Sequence, residues 1–201
     1  MGKQRNKIFS YDSLSFIGKI SLLISISTIQ SKLKKGSWLD ILSGYKALIQ
    51  LSQRRNSKIS SFYALDHRLD PKLSKIGFYL KEIYIDRTLP YKQNMFDNIT
   101  ITNGLEHLKN PFAVINECYR ILKHGEILQI IVPTWFSKPF LEFIAFKLHN
   151  KQADIEVNDH KMYYDEKILW PILVKSRFCP KNISMKRIKF FMSLYAIAIK
   201  D

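Results

Sequence analysis

The stretch from Phe96 to Pro133 reads FDNITITNGLEHLKNPFAVINECYRILKHGEILQIIVP. Phe96 to Thr102 reads as a strand. Pro111 to Leu122 reads as a helix, with proline in the first turn, where its missing N–H costs nothing. Ile127 to Val132 reads as a second strand, stopped by Pro133. Strand, helix and strand in succession imply a right-handed crossover between parallel neighbours. That unit sets the fold class, and the chain on either side extends it.

Upstream, Trp38 to Leu42 is a short buried strand and Tyr45 to Arg55 a helix. Ile59 to Leu65 is a strand with Asp66 at its end. Leu73 to Leu80 reads as a short helix, and Glu82 to Ile85 as a strand ending at Asp86. Such alternation predicts an α/β, doubly wound, mostly parallel sheet with helices on both faces. Ahead of it, Ile17, Ile20, Leu23, Ile24, Ile29 and Leu33 fall roughly on helical spacing and predict one amphipathic helix, closed by Lys34-Lys35-Gly36. Downstream, Phe140 to Leu148 reads as an apolar helix. Residues 149–165 are polar, and Glu166 to Ser176 reads as a helix despite Pro171. Ile183 to Ile188 and Ser193 to Ile199 read as a final antiparallel hairpin on the sheet edge. The expected organisation is a helical arm over 1–36 and one domain over 37–201, with an insert at about 135–165 that closes over the crevice.

Composition bounds the function classes. The 201 residues suit a single domain of ordinary size, and 46% hydrophobic with 24% charged is globular. Two cysteines, Cys118 and Cys179, give neither a disulfide framework nor a zinc-ligand spacing, so no metal is expected. The net charge of +15 is spread along the chain. It is densest in residues 1–35, with 7 basic and 1 acidic residue. A lysine-rich composition accounts for it as well as a binding face does. Contact of the basic arm with a membrane surface stays open, through Lys3, Arg5, Lys7 and Lys19. Leu14 to Ile29 is too short and too polar to span a bilayer. With no cleavage site after it, a cytoplasmic location is expected.

In a doubly wound sheet the ligand crevice lies beyond the carboxyl ends of the strands. Asp40, Asp66 and Asp86 each fall at or near such an end. A carboxylate after the second strand can accept both hydroxyls of a ribose. Singly, each of these residues is equally a helix cap or a solvated turn.

The run Leu89-Pro90-Tyr91, then Phe96-Asp97, then Leu105-Glu106-His107-Leu108-Lys109-Asn110-Pro111, then Glu117 with Arg120-Ile121-Leu122-Lys123 and Gly125 resembles the class I S-adenosylmethionine-dependent methyltransferases. Within them it is most similar to the small-molecule group that includes the quinone-biosynthesis enzymes. The resemblance covers about residues 37–134. Beyond it, Pro133-Thr134-Trp135, Lys138-Pro139 and Asp159-His160-Lys161-Met162-Tyr163-Tyr164 resemble a subset associated with polysaccharide and lipopolysaccharide assembly.

The resemblance implies a Rossmann-like seven-stranded sheet with an antiparallel last strand, and S-adenosyl-L-methionine as cofactor. Asp40, Leu42 and Gly44 would shape the methionine end, and Asp66 would take the ribose hydroxyls with His67 beside it. Asp86 and Arg87 would lie near the adenine, and Asn103 under the sulfonium. His107 would sit near the acceptor, as a base or as a brace of its turn. His160, Tyr163 and Tyr164 would meet a small-molecule or glycan-type acceptor. The sulfonium carries the activated methyl group, so alignment of donor and acceptor is the main demand on the protein.

One departure stands out. The family's first loop reads D-x-G-x-G-x-G; here it reads Asp40-Ile41-Leu42-Ser43-Gly44-Tyr45-Lys46, and only Gly44 remains. A β-carbon at 42 could intrude on the amino-acid end of the cofactor. Three readings follow: a methyltransferase, a non-catalytic scaffold with the methyltransferase fold, and a nucleic-acid binder. The last has only the charge in its favour, since the target-base motif of nucleic-acid methyltransferases is absent.

Overall fold

The computed structural model describes residues 16–44, 58–75, 77–85, 87–143 and 160–201. In chain order the elements are α1 (Phe16–Gln30), β1 (Gly36–Ile41), β2 (Ile59–Asp66), α2 (Lys72–Lys75), β3 (Phe78–Glu82), β4 (Phe96–Thr102), α3 (Pro111–Ile121), β5 (Leu122–Pro133), α4 (Lys138–Glu142), α5 (Glu166–Lys175), β6 (Ile183–Ile188) and β7 (Ser193–Ile199). The sheet has seven strands in the order β3-β2-β1-β4-β5-β7-β6. Strands β3 through β5 are parallel, and β7 runs antiparallel to both β5 and β6. This is the α/β doubly wound, Rossmann-like sheet that the alternation predicts, with its terminal hairpin.

Alternate residues of each strand feed two cores, as the period of a pleated strand requires. Leu39, Ile41, Leu65, Ile99, Ile101, Ile130 and Val132 pack on the α3 and α5 side. Trp38, Ala64, Ile131 and Tyr195 pack with Ile26, Ile29 and Leu33 on the α1 side. Cys118 is wholly buried in the first core. Asn110 caps α3 by accepting from the Ala113 N–H at 3.1 Å, with Pro111 at the first helical position.

Three sequence expectations need correction. The buried stripe of α1 is Ser25, Ile26 and Ile29, continued by Leu33 and flanked by the half-buried Leu22, while Ile20 and Leu23 face outward. The sequence offers apolar residues on more than one face, and only packing on the sheet selects among them. The third strand starts at Phe78 and not at Glu82, and α2 stops at Lys75. Gly77, at φ +90°, breaks the chain between them, and the Phe62↔Phe78 to Asp66↔Glu82 register fixes the strand. The third strand-end carboxylate is therefore Glu82, whose Oε1 accepts from the Leu69 N–H at 2.8 Å. Asp86, the expected helix over 45–55 and the latter part of the one over 140–148 lie outside the described residues.

Asp97 ties the amino-terminal edge together. It accepts from the Ser37 N–H and hydroxyl at 2.8 Å each and from Lys123 Nζ at 2.8 Å. Gly36, at φ +129°, makes room for it: a β-carbon there would lie 2.3 Å from Asp97 Oδ2.

Candidate functional site

The carboxyl ends of β1, β2 and β4 form one edge, and the glycine-poor loop after β1 crosses it. Leu42 sits at φ 57°, in the left-handed region where a residue with a β-carbon costs roughly 1–2 kcal/mol. The loop thus keeps a backbone conformation suited to glycine while carrying leucine. Its N–H donates to the Leu65 carbonyl at 2.8 Å, which anchors the bend on β2. The Leu42 side chain lies on Gly104, just past β4. A β-carbon on Gly104 would fall 2.5 Å from that of Leu42. Gly104 has an ordinary negative φ of −135°, so space, not conformation, requires the glycine.

Asp66 closes the other side of the loop. Its Oδ2 accepts from the Gly44 N–H at 2.9 Å, and its Oδ1 lies 2.6 Å from His67 Nδ1 and 3.3 Å from the Arg68 N–H. The His67 ring stacks on Tyr84, with centroids 5.6 Å apart and planes 26° apart. Gly44 is at φ +71°, and among the described residues nothing lies within 4 Å of where its β-carbon would stand. Asp40 lies within β1, buried beneath the loop, and accepts from the Thr100 hydroxyl at 2.6 Å. That hydroxyl in turn accepts from the Trp38 indole N–H at 2.8 Å. Asn103 is exposed at φ 48°, a conformation asparagine tolerates, and its N–H donates to the Ile131 carbonyl at 2.8 Å. Arg87 is exposed.

The loop from β3 to β4 is braced from α3. Arg120 Nη1 and Nη2 donate to the Tyr91 and Leu89 carbonyls at 2.9 and 3.0 Å. Glu117 accepts from the Leu89 N–H at 2.9 Å and from Arg120 Nε and Nη2 at 2.8 and 2.7 Å. The Arg120 guanidinium holds the Glu117 carboxyl below the usual carboxylate range. The Glu-x-x-Arg spacing thus fastens the Leu-Pro-Tyr segment to the domain.

Past β4, a 3-10 turn over Leu105–His107 meets the segment that returns at 160. The Lys161 N–H donates to the Glu106 carbonyl at 2.9 Å, and Lys161 Nζ reaches the His107 carbonyl. The His107 and His160 rings are 5.1 Å apart, and Tyr163 meets His160 edge-on at 5.3 Å. Burial pushes the Tyr163 phenol up, helped by the carboxylates of Glu142 and Glu106. Trp135, half exposed, packs on Tyr163 at 5.5 Å. Tyr163 and Tyr164 depart from expectation: Tyr163 is buried, its hydroxyl included, so only its ring edge reaches His160. Tyr164 goes further. It is fully buried and its hydroxyl donates to the Leu105 carbonyl at 3.2 Å, so it anchors the segment and faces no crevice. Glu106 and Lys189, which the sequence reading did not place in the site, belong to this corner. Burial pushes the Lys189 amine down to about 8, while Glu106 pulls it the other way.

Residues 64–130 match the family described as Methyltransferase domain. A ubiquinone/menaquinone biosynthesis C-methyltransferase of Stenotrophomonas maltophilia (strain R551-3) is 32% identical over 100 residues, 46% of this chain and 39% of that one. One of Pasteurella multocida is 28% identical over 102 residues, 46% of this chain and 37% of that one. The chain thus spans about two fifths of the curated relatives it matches. Among solved structures, a SAM-dependent methyltransferase of Thermotoga maritima, titled a possible histamine N-methyltransferase, superposes with a TM-score of 0.68 at 12% identity. The alignment covers 99% of this chain and 95% of that one. A SAM-dependent methyltransferase of Aquifex aeolicus gives 0.66 at 16% identity, with 99% and 98% covered. The fold is the Rossmann-like methyltransferase fold, and S-adenosylmethionine is the cofactor that the domain match implies.

The residues fit that cofactor unevenly. At what would be the nucleoside end, the buried Asp66 carboxylate, the positive-φ Gly44 and the stacked His67–Tyr84 pair suit a ribose and its base. Towards β4, Leu42 fills the gap over Gly104 and narrows the place left for the amino-acid end.

Proposed function

We propose that the protein is an S-adenosylmethionine-dependent methyltransferase acting on a small-molecule or glycan-type acceptor. The observation that carries the reading is the pairing of Gly44 with Asp66 at the carboxyl edge of this sheet. It sets a close-approach backbone and a ribose-competent carboxylate side by side. Asp66 would take the ribose hydroxyls, exchanging its hold on Gly44 for them, with His67 alongside. Gly44 would admit the cofactor against the loop backbone. Asp40 would stiffen the loop from below through Thr100. When bound, the cofactor supplies an electrophilic methyl group, and the protein's task is alignment. His107 and His160 would face the acceptor, with the Tyr163 ring packed behind His160, and a ring nitrogen of His107 would hold a proton from an acceptor hydroxyl. Two imidazoles near the half-exposed Trp135 suit a hydroxyl-bearing compound with an apolar face.

The Leu42–Gly104 contact supports a second reading, a methyltransferase-fold scaffold without cofactor chemistry. Titration of the wild type and of Leu42→Gly with S-adenosylhomocysteine separates the two. Measurable wild-type binding is expected. No wild-type binding at millimolar ligand, with binding gained in Leu42→Gly, would leave only the scaffold reading.

A further inference from the structure

Glu106, His107 and His160 each direct one donor atom into a common space, and those three atoms all lie within 4.8 Å of one another. We propose that this trio binds one divalent transition-metal ion of the zinc, cobalt and nickel class.

Two imidazole nitrogens and one carboxylate oxygen form a donor set for those ions, whereas magnesium and calcium take oxygen ligands. The ring geometry agrees. Two imidazoles on one tetrahedral ion, with metal–nitrogen distances of about 2.0–2.1 Å, carry their ring centroids roughly 5.2 Å apart. The His107 and His160 centroids are 5.1 Å apart, with planes inclined at 55°. Donors on such an ion stand about 3.4 Å from one another, so a pair at the 4.8 Å limit would have to close by about 1.4 Å. Both histidines are half-buried and can do so by small side-chain rotations.

The site is also held from outside. The Lys161 N–H is bonded to the Glu106 carbonyl, next to one donor of the trio and within one residue of another. The Tyr164 N–H donates to the Pro133 carbonyl at 2.9 Å, and the Tyr164 hydroxyl reaches Leu105. The segment bearing His160 is thereby fixed against the turn bearing Glu106 and His107, and side-chain closure alone completes the set. Glu106 is buried, with 1% of its surface exposed, and a carboxylate in that position is stabilised by positive charge nearby. Lys189 supplies some of that charge, and a divalent ion would supply more.

Three protein donors leave at least one coordination position open, as in sites that meet a ligand. That the ligand is the acceptor rests on the methyl-transfer reading; binding of the ion does not, and the His107 nitrogen that ligates the ion would not also hold the acceptor's proton.

The test uses the full chain, stripped with a chelator and dialysed, with no cofactor present. Cobalt(II) is titrated by visible absorption and zinc(II) by calorimetry. One equivalent is expected to bind, with the d–d bands of a low-coordinate cobalt site. His160→Ala and His107→Ala are each expected to lose at least about tenfold in affinity. His124→Ala, at an exposed histidine on β5, keeps it. Stoichiometric binding lost in both histidine variants, with unchanged circular dichroism, supports the site. Binding absent at millimolar metal, or equal in the wild type and His160→Ala, overturns it. Should Glu106→Gln fail to fold, the two histidine variants decide alone. Titration with S-adenosylhomocysteine in a separate experiment keeps failure of the cofactor reading distinct.

Discussion

Leu42 and Gly104, 62 positions apart in sequence, are matched in size: the leucine occupies the space a side chain at 104 would need. The pair couples the loop after β1 to the turn after β4, and their substitutions will not be independent. Gly104→Ala is expected to destabilise the wild type by about 1–3 kcal/mol through overpacking. In a Leu42→Gly background the same change is expected to cost well under half as much. Urea denaturation of the four proteins in a double-mutant cycle measures the coupling. Additive effects would mean that the two residues do not compete for one space.

Asp66→Ala is expected to weaken S-adenosylhomocysteine binding by roughly 1.5–3 kcal/mol, the scale of hydrogen bonds to a charged group. It also removes the acceptor that holds the Gly44 N–H, so amide exchange at Gly44 should quicken without ligand. Calorimetry reads the first effect and hydrogen exchange the second. Unchanged affinity in the variant would remove Asp66 from the ribose role.

Acid should loosen the brace on the β3–β4 loop. The Glu117 carboxyl is held low first by its hydrogen bonds from Arg120, burial working against them and the Leu89 N–H with them. A carboxyl whose folded value lies below its unfolded value of about 4.3 stabilises the protein above that value. The stabilisation is lost as the pH falls through the folded value. Wild-type stability is thus expected to drop on acidification below about pH 4.3, and Glu117→Gln to show a shallower drop with lower stability at pH 7. Denaturation series at pH 7, 5 and 3.5 give both slopes.

Arg120→Ala is expected to cost about 1.5–3 kcal/mol, since it strands the Glu117 carboxylate and frees two loop carbonyls. Arg120→Lys should recover little, because a single ammonium cannot reproduce the fork that meets Glu117, Leu89 and Tyr91 together. Thermal denaturation of the two variants distinguishes loss of charge from loss of geometry.

The sheet was legible because its signals are local. The β4–α3–β5 unit carries its own cap, its proline and its stop within one stretch. β3 was misplaced because Ile83, Tyr84 and Ile85 look more strand-like than Phe78–Glu82, and pairing with β2 outweighs that preference. Gly77 was the available signal for the end of α2. The site was legible only in part. Asp66 and Gly44 stand in motif positions, but Glu106 and His160 are 54 residues apart and come together only through the returning segment. No spacing in a sequence announces such a meeting. Tyr163 and Tyr164 are both buried, and that the Tyr164 hydroxyl meets the Leu105 carbonyl is likewise a property of packing that the tyrosine pair does not announce.

The Asp97 carboxylate, at the edge opposite the site, bonds residues 60 and 26 positions away in the chain and so joins the starts of β1, β4 and β5. The Ser37 contact closes a loop of 60 residues and the Lys123 contact one of 26, each at an entropic cost that grows slowly with length. Both the Ser37 and the Lys123 bonds require the native alignment of β1, β4 and β5, so the carboxylate rewards that alignment. It also constrains how the sequence can drift. A side chain at Gly36 requires Asp97 to move, and moving it disturbs the partner that Lys123 and Ser37 share. Substitutions at 36 and 97 are therefore coupled through a carboxylate whose oxygen lies 2.3 Å from where a β-carbon would be.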